Sequence, residues 1–135
     1  MLLPHGAVIA LIDGQRFELY RNAGDEAGPE LAALPAVKLD EHNHGSGGRH
    51  YSSAGNPAAH QQDEDAHAAA VAEWLNGEVL GHRITQLVVF AAPRTLGELR
   101  RHYHKQTQQA LLKEYAKDLV GRPPAEIVAT LRETH

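Results

Sequence analysis

Four histidines in and beside one polar segment carry the ligand atoms that a zinc site would need. Three of them, His42, His44 and His50, lie in the segment HNHGSGGRHYSSAG (residues 42–55), and His60 follows closely. Neutral imidazole nitrogens bind zinc, but this spacing is not that of a recognised zinc site. A glycine-rich backbone also gives poor support for fixing the orientation of the rings. We therefore predict no physiological metal and no cofactor.

The same segment has the residue types that proteins use to contact RNA. Arg49 supplies a cation and Tyr51 a ring on which a base can stack, while Gly47 and Gly48 let the backbone approach a phosphate closely. Serines lie near the histidines, but the Gly-x-Ser-x-Gly motif of a hydrolase nucleophile is not formed. We predict that the 42–60 segment contacts RNA, the alternative being a solvated loop.

A second group of cations lies further along the chain. Residues 82–113 contain six lysines and arginines against one acid, Glu98, so this block has a net charge of +5, whereas residues 1–81 have −8. Such an asymmetry is typical of surfaces for phosphates or RNA, although a solvated helix face gives the same pattern. The candidate RNA-binding residues in this block are Arg94, Thr95, Arg100, Arg101 and Lys105.

Two acidic residues, Asp13 and Asp118, raise the possibility of a nuclease. Cleavage with two metal ions needs three or four carboxylates on neighbouring strand ends. The apolar run 86–92 ends without an acid, so a third carboxylate is missing, and Asp13 is better explained as a turn residue that binds its own backbone. We predict no catalytic residue; the alternative is a metal-dependent nuclease or hydrolase.

Apolar patterning indicates the elements that position these residues. The runs 7–13 and 86–92 are almost continuously apolar, as in strands that are covered on both faces. Asp13-Gly14 predicts a hairpin to an alternating strand over 16–21. Residues 30–39 predict a third strand, in which Pro35 indicates an edge or a bulge. Residues 110–116 favour a helix by propensity, but we assign them to a strand that the terminal helices can cover.

Three helices are predicted between and after these strands. The first runs from about residue 61 to Asn76-Gly77, and the second starts at a capping box formed by Thr95 and Glu98. The third starts at Pro123-Pro124. The resulting order predicts an α/β fold of ribonuclease-H-like type, with a mixed five-stranded sheet, its first three strands antiparallel, and three helices.

Three blocks resemble one bacterial family. They are VIALIDGQRFELYR (8–21), LVVFAAPRTLGELR (87–100) and KDL (117–119) before a proline-started helix. In this order and spacing they resemble the bacterial proteins called "host attachment protein", or protein required for attachment to host cells. The resemblance covers nearly the whole chain, and the second block is its most specific part.

This resemblance implies a fold similar to the middle domain of release factor one and of Pelota, which is also ribonuclease-H-like. In release factors a Gly-Gly-Gln loop precedes the long helix and acts on the peptidyl-tRNA ester. The present chain has Gly47, Gly48 and Arg49 in a broadly corresponding place and lacks the glutamine. The resemblance therefore implies kinship with the translation machinery without peptide-release chemistry.

The length and composition of the chain limit the remaining classes of fold and function. A length of 135 residues predicts a single domain over residues 1–135, and the absence of cysteine excludes disulfides and a thiol nucleophile. No apolar run approaches the roughly 20 residues that span a bilayer, so we expect a cytoplasmic protein without a membrane partner. The function that we infer is non-enzymatic docking on the ribosome or other structured RNA, in translation or a stress response. A dimerising, protein-binding module is a further alternative.

Overall fold

The computed structural model describes residues 1–39 and 57–133, with side chains from residue 60 onward in the second range. A five-stranded sheet in the order β3-β2-β1-β4-β5 is the centre of the fold. β2 is antiparallel to both of its neighbours, while β1, β4 and β5 are parallel. This confirms the predicted ribonuclease-H-like sheet. The strands are β1 (Val8–Ile12), β2 (Phe17–Asn22), β3 (Leu31–Ala33), β4 (Leu87–Ala91) and β5 (Leu111–Tyr115).

β1 and β4 occupy the middle of the sheet, and every residue of both strands is buried. Their side chains alternate between two apolar clusters, one on each face, which explains why both strands are continuous apolar runs. The Asp13-Gly14 hairpin is confirmed by the antiparallel register of β1 and β2. β3 is an edge strand, one of the two possibilities that Pro35 indicated, but it covers only three residues of the predicted 30–39 segment and ends before Pro35.

Helices cover both faces of the sheet. One core cluster joins the sheet to the first three helices, and the other joins it to the last helix. Among the described residues no helix combines the length and the apolar character needed for a bilayer span. The helices are α1 (Pro57–Leu80), α2 (Pro93–Arg100), α3 (Lys105–Ala110) and α4 (Pro124–Glu133).

The described residues form four helices, so the prediction of three is wrong. The additional helix is α3, whose N-cap is His104; the Nδ1 atom of this residue accepts the N–H of Gln106. The strand assigned to residues 110–116 is confirmed as β5 over Leu111–Tyr115, while Ala110 still belongs to α3 and Ala116 follows the end of the strand. β4 has a free edge that residues 111–115 pair with, and this pairing outweighs their helical propensity.

Two predicted helix ends are also corrected. α1 continues past Asn76-Gly77 to Leu80, and the left-handed residue near its end is His82, with φ of 62°. α2 starts at Pro93 with Ala92 as its N-cap and no side-chain cap, so the capping box of Thr95 and Glu98 is not formed. A proline fits the first helical position because the amide there needs no partner within the helix.

Candidate nucleic-acid interface

The predicted loop residues Gly47, Gly48, Arg49 and Tyr51 lie outside the described residues, and so do His42, His44 and His50. Of the four histidines considered as zinc ligands, the structure describes His60, which is exposed on α1. In the described ranges, no three His, Asp or Glu side chains come together in a way that would hold a metal ion. The contribution of the loop to an RNA surface therefore remains a prediction.

α2 and the start of α3 position the other predicted residues. Leu96 and Leu99 are buried against the sheet and fix the orientation of α2. Arg94 and Arg101 are seven positions apart, which brings them to the same side of the helix about two turns from each other. Lys105 is the first residue of α3. Thr95 is half-buried, whereas the four cations Arg94, Arg100, Arg101 and Lys105 are exposed.

Each of the three arginines has a carboxylate partner. Two of the three carboxylates, Asp65 of α1 and Glu114 of β5, lie outside the basic block of residues 82–113, so counting charges along the sequence overstates the local positive charge. Exposed ion pairs contribute only about 0–1 kcal/mol, and the Arg94–Asp65 pair is of this kind. In the other two pairs the arginine is exposed, whereas the carboxylate side chains of Glu114 and Glu98 are only 18% and 15% exposed. The pairs are Arg94 with Asp65 at 3.5 Å, Arg100 with Glu114 at 3.0 Å and Arg101 with Glu98 at 3.3 Å.

Asn76 holds the segment between α2 and α3 against α1. Its Oδ1 accepts the backbone N–H of His104 at 2.8 Å and the hydroxyl of the buried Thr107 at 2.6 Å. Its Nδ2 donates to the carbonyl of His102 at 2.9 Å. The sequence suggested only a helix end at this residue, because the partners of its amide come from a segment that is 26 to 31 residues away. Asn76 is thus a positioning residue for the cationic surface.

A groove of about 450 Å³ opens between the end of α2, α3 and β5. Arg100, Tyr103 and Glu114 line it, and both the Tyr103 hydroxyl and Glu114 Oε2 are buried without a hydrogen-bond partner in the described structure. Burial, and then the negative charge of Glu114, raises the pKa of Tyr103 against the opposing effect of Arg100. The hydroxyl therefore stays protonated at neutral pH. Tyr103 also belongs to the core cluster that joins the sheet to the first three helices, and no sequence motif indicated a groove beside it.

Comparison with known families identifies the chain. The model of bacterial archaeo-eukaryotic release factor family 12 matches residues 6–131, from just before β1 to within α4. The chain belongs to this family. Among curated proteins, none matches the sequence. The match confirms the resemblance to release factors, and so links this family 12 protein in general terms to the translation machinery; the attachment name is not part of that match.

The family 12 protein uses the acids at the ends of its parallel strands for structural contacts. Oδ1 of Asp13 accepts the backbone N–H groups of Gln15 and Arg16, and Oδ2 accepts the Nε–H of Arg16. Burial acts to raise the pKa of Asp13, but these hydrogen bonds and the Arg16 guanidinium together hold it below its ordinary value. Asp118 accepts the N–H of Val120 at the entry to α4. The turn role predicted for Asp13 is confirmed.

Proposed function

We propose that this family 12 protein docks, without catalysis, on ribosomal or other structured RNA through the surface of α2 and α3 together with the 42–60 segment. The observation that carries the proposal is the group of three exposed arginines on α2 and at its C-cap, Arg94, Arg100 and Arg101, each of which forms one ion pair among the described residues. Membership of a release-factor-related family supports an RNA partner from translation. A phosphate backbone offers these guanidinium groups several anions in place of single carboxylates.

The position of Arg94 strengthens the argument. It is the second residue of α2, so it lies beside backbone N–H groups that have no partner within the helix. Such a helix start attracts anions through its N–H groups and its dipole. Lys105 adds a cation that makes no ion pair within the described part of the chain. Together these groups offer a phosphate both fixed donors and exposed positive charge.

The triple variant Arg94→Ala/Arg100→Ala/Arg101→Ala tests this proposal. At about 0.1 M salt we expect its affinity for ribosomes or structured RNA to fall by at least about tenfold, because three phosphate contacts are lost. The slope of log K against log salt should decrease by about three for the same reason. Fluorescence anisotropy with labelled ribosomal RNA fragments over a salt series measures both quantities.

A matched control removes three arginines from other surfaces. Arg16, Arg83 and Arg122 are as exposed as the α2 arginines, and each also pairs with one carboxylate. We expect the Arg16→Ala/Arg83→Ala/Arg122→Ala variant to bind RNA nearly as well as the original protein. If both variants lose RNA affinity equally, the effect depends only on net charge and not on this surface. If the original protein does not bind RNA at low salt, the proposal is wrong.

A cleavage assay separates docking from the nuclease alternative. A nuclease would have to release Asp13 from Arg16 before this carboxylate could bind a metal ion. We expect labelled RNA to stay intact after incubation with the protein and Mg²⁺ or Mn²⁺. Cleavage that depends on the metal and disappears in Asp13→Asn would contradict the docking proposal in favour of metal-dependent hydrolysis.

A further inference from the structure

The segment LAALPAV (residues 31–37), which contains β3, lies at the surface although it carries no polar side chain. None of its seven residues is buried, and Ala32, Ala33, Pro35 and Ala36 are exposed. Edge strands of soluble proteins often carry charged side chains that prevent pairing with another chain. An exposed edge without charges is typical of a surface that a partner covers.

β3 has backbone groups that point away from the sheet. The N–H of Leu34 donates to the carbonyl of Leu19 of β2, and the pairing alternates along the strand, so Ala32 is also bonded inward. Leu31 and Ala33 therefore direct their N–H and C=O groups outward. These groups make no hydrogen bond among the described residues. The edge can thus accept one more strand.

An apolar groove of about 560 Å³ lies beside this edge, between β3 and α4. Leu31 lines it from the strand, and Ala125, Val128 and Ala129 line it from the helix. Leu31 also packs against the apolar cluster under α4, so the groove lies on the α4 face of the sheet. A strand of three residues buries too little area for a stable complex, which usually needs about 1,000 Å² or more. The groove enlarges the apolar surface that a partner can cover.

The charges on either side of β3 favour a second copy of this chain as the partner. Asp25, Glu26 and Glu30 are exposed before the strand, and Lys38 is exposed after it. Two copies in antiparallel orientation bring the acidic end of each chain toward Lys38 of the other. A parallel orientation would instead bring like charges together. The edge is therefore complementary to itself in the antiparallel orientation.

We propose that two copies of this family 12 protein pair through β3 and form a homodimer with one continuous sheet. The two-fold axis passes beside Ala32, and the outward groups of Leu31 bond to those of the partner's Ala33. Pro29 and Pro35 then lie opposite each other, and because neither has an N–H group, they limit the pairing to the strand itself. Both α4 helices lie on the same face of the joined sheet, where the two apolar grooves face each other and close.

The opposite edge of the sheet is unsuited to the same pairing. β5 has Lys113 in its middle and an irregular register with β4, and both features discourage the addition of a strand. Because only one edge pairs, two chains complete the assembly and it does not continue into a fibre. α2 and α3 pack beside β4 and β5, so the dimer leaves the proposed RNA surface exposed. The dimer does not depend on the proposed function.

A charge-swap experiment at Ala32 tests the dimer. This residue lies opposite its own copy, so Ala32→Lys or Ala32→Glu places two like charges side by side. We expect the original protein to dimerise, each variant to raise the dissociation constant at least about tenfold, and an equal mixture of both variants to restore the dimer. Analytical ultracentrifugation over a concentration series measures these constants. Leu112→Lys, at an exposed leucine of the opposite edge, is the matched control and should leave the dimer unchanged.

Hydrogen exchange identifies the groups that the dimer covers. The amide protons of Leu31 and Ala33 should exchange more slowly as the protein concentration rises, since they are bonded only in the dimer. A protein that stays monomeric at all concentrations would overturn the proposal; protected amides in that monomer would mean that another part of the same chain covers the edge. A dimer that both Ala32 variants leave intact would place the interface elsewhere and also overturn it. Restoration by mixing would show both that the variants are folded and that the two-fold contact is correct, whereas a mixture that stays monomeric would contradict that contact.

Discussion

We expect Asn22→Ala to lower the free energy of unfolding by about 3 kcal/mol or more, since a fully buried side chain and its hydrogen bonds to three backbone groups are lost together. Asn22 ends β2 and is completely buried. Its Oδ1 accepts the N–H groups of Gly24 and Glu30, both at 2.9 Å, and its Nδ2 donates to the carbonyl of Leu3 at 2.9 Å. One amide thus connects the amino-terminal segment, the end of β2 and the approach to β3.

Chemical denaturation with the single tryptophan as probe measures this effect. Trp74 packs edge-on against Phe17 of β2, with ring centroids 5.5 Å apart, so its fluorescence follows the packing of α1 on the sheet. Glu26→Ala, at an exposed position of the same loop, is the control and should change stability by less than about 0.5 kcal/mol. A loss below about 1 kcal/mol in Asn22→Ala would show that the loop satisfies these groups in another way.

Phe90→Ala is expected to cost about 3–5 kcal/mol, the usual range for removing a buried aromatic ring from a core. Phe90 is fully buried in β4 and stacks on Tyr115 of β5, with centroids 4.5 Å apart and planes inclined by 7°. The same cluster contains Ile127 and Leu131 of α4. The cavity would therefore weaken the contact between two strands and the helix on that face.

The same unfolding experiment tests Phe90, with a graded series to identify the cause. Phe90→Leu leaves a smaller cavity and should lose less stability than Phe90→Ala. Leu80→Ala removes a leucine that is 50% exposed at the end of α1, and should have little effect. Similar losses for Phe90→Leu and Phe90→Ala would contradict cavity formation as the cause and point to the ring stacking with Tyr115.

Most of the sheet could be predicted from the sequence, because a buried strand shows a recognisable pattern of apolar residues. β1 and β4 are apolar along their whole length since both faces are covered, and Asp13-Gly14 indicates a tight turn without reference to any distant residue. β5 was the exception in which local preference pointed to a helix. These residues form a strand because they pair with β4, and this pairing could be inferred only from the arrangement of the whole fold.

Only part of the candidate site could be predicted from the sequence. The exposure of Arg94, Arg100, Arg101 and Lys105 was predictable, because Leu96 and Leu99 indicate which side of α2 is buried. Which carboxylates meet these arginines was not predictable. Asp65 and Glu114 come from elements that only the packing of α1 and β5 places beside α2.

By itself the sequence determined the order of the strands along the chain, the hairpin, the apolar faces and the kinship to release factors, since each depends on neighbouring residues or a continuous motif. Only the tertiary structure decided that Asn76 fixes the α2–α3 segment, that the arginines are paired, and that Tyr103 and Glu114 share a groove. The physical reason is that hydrogen bonds and ion pairs act over a few ångströms between atoms, whatever the distance along the chain.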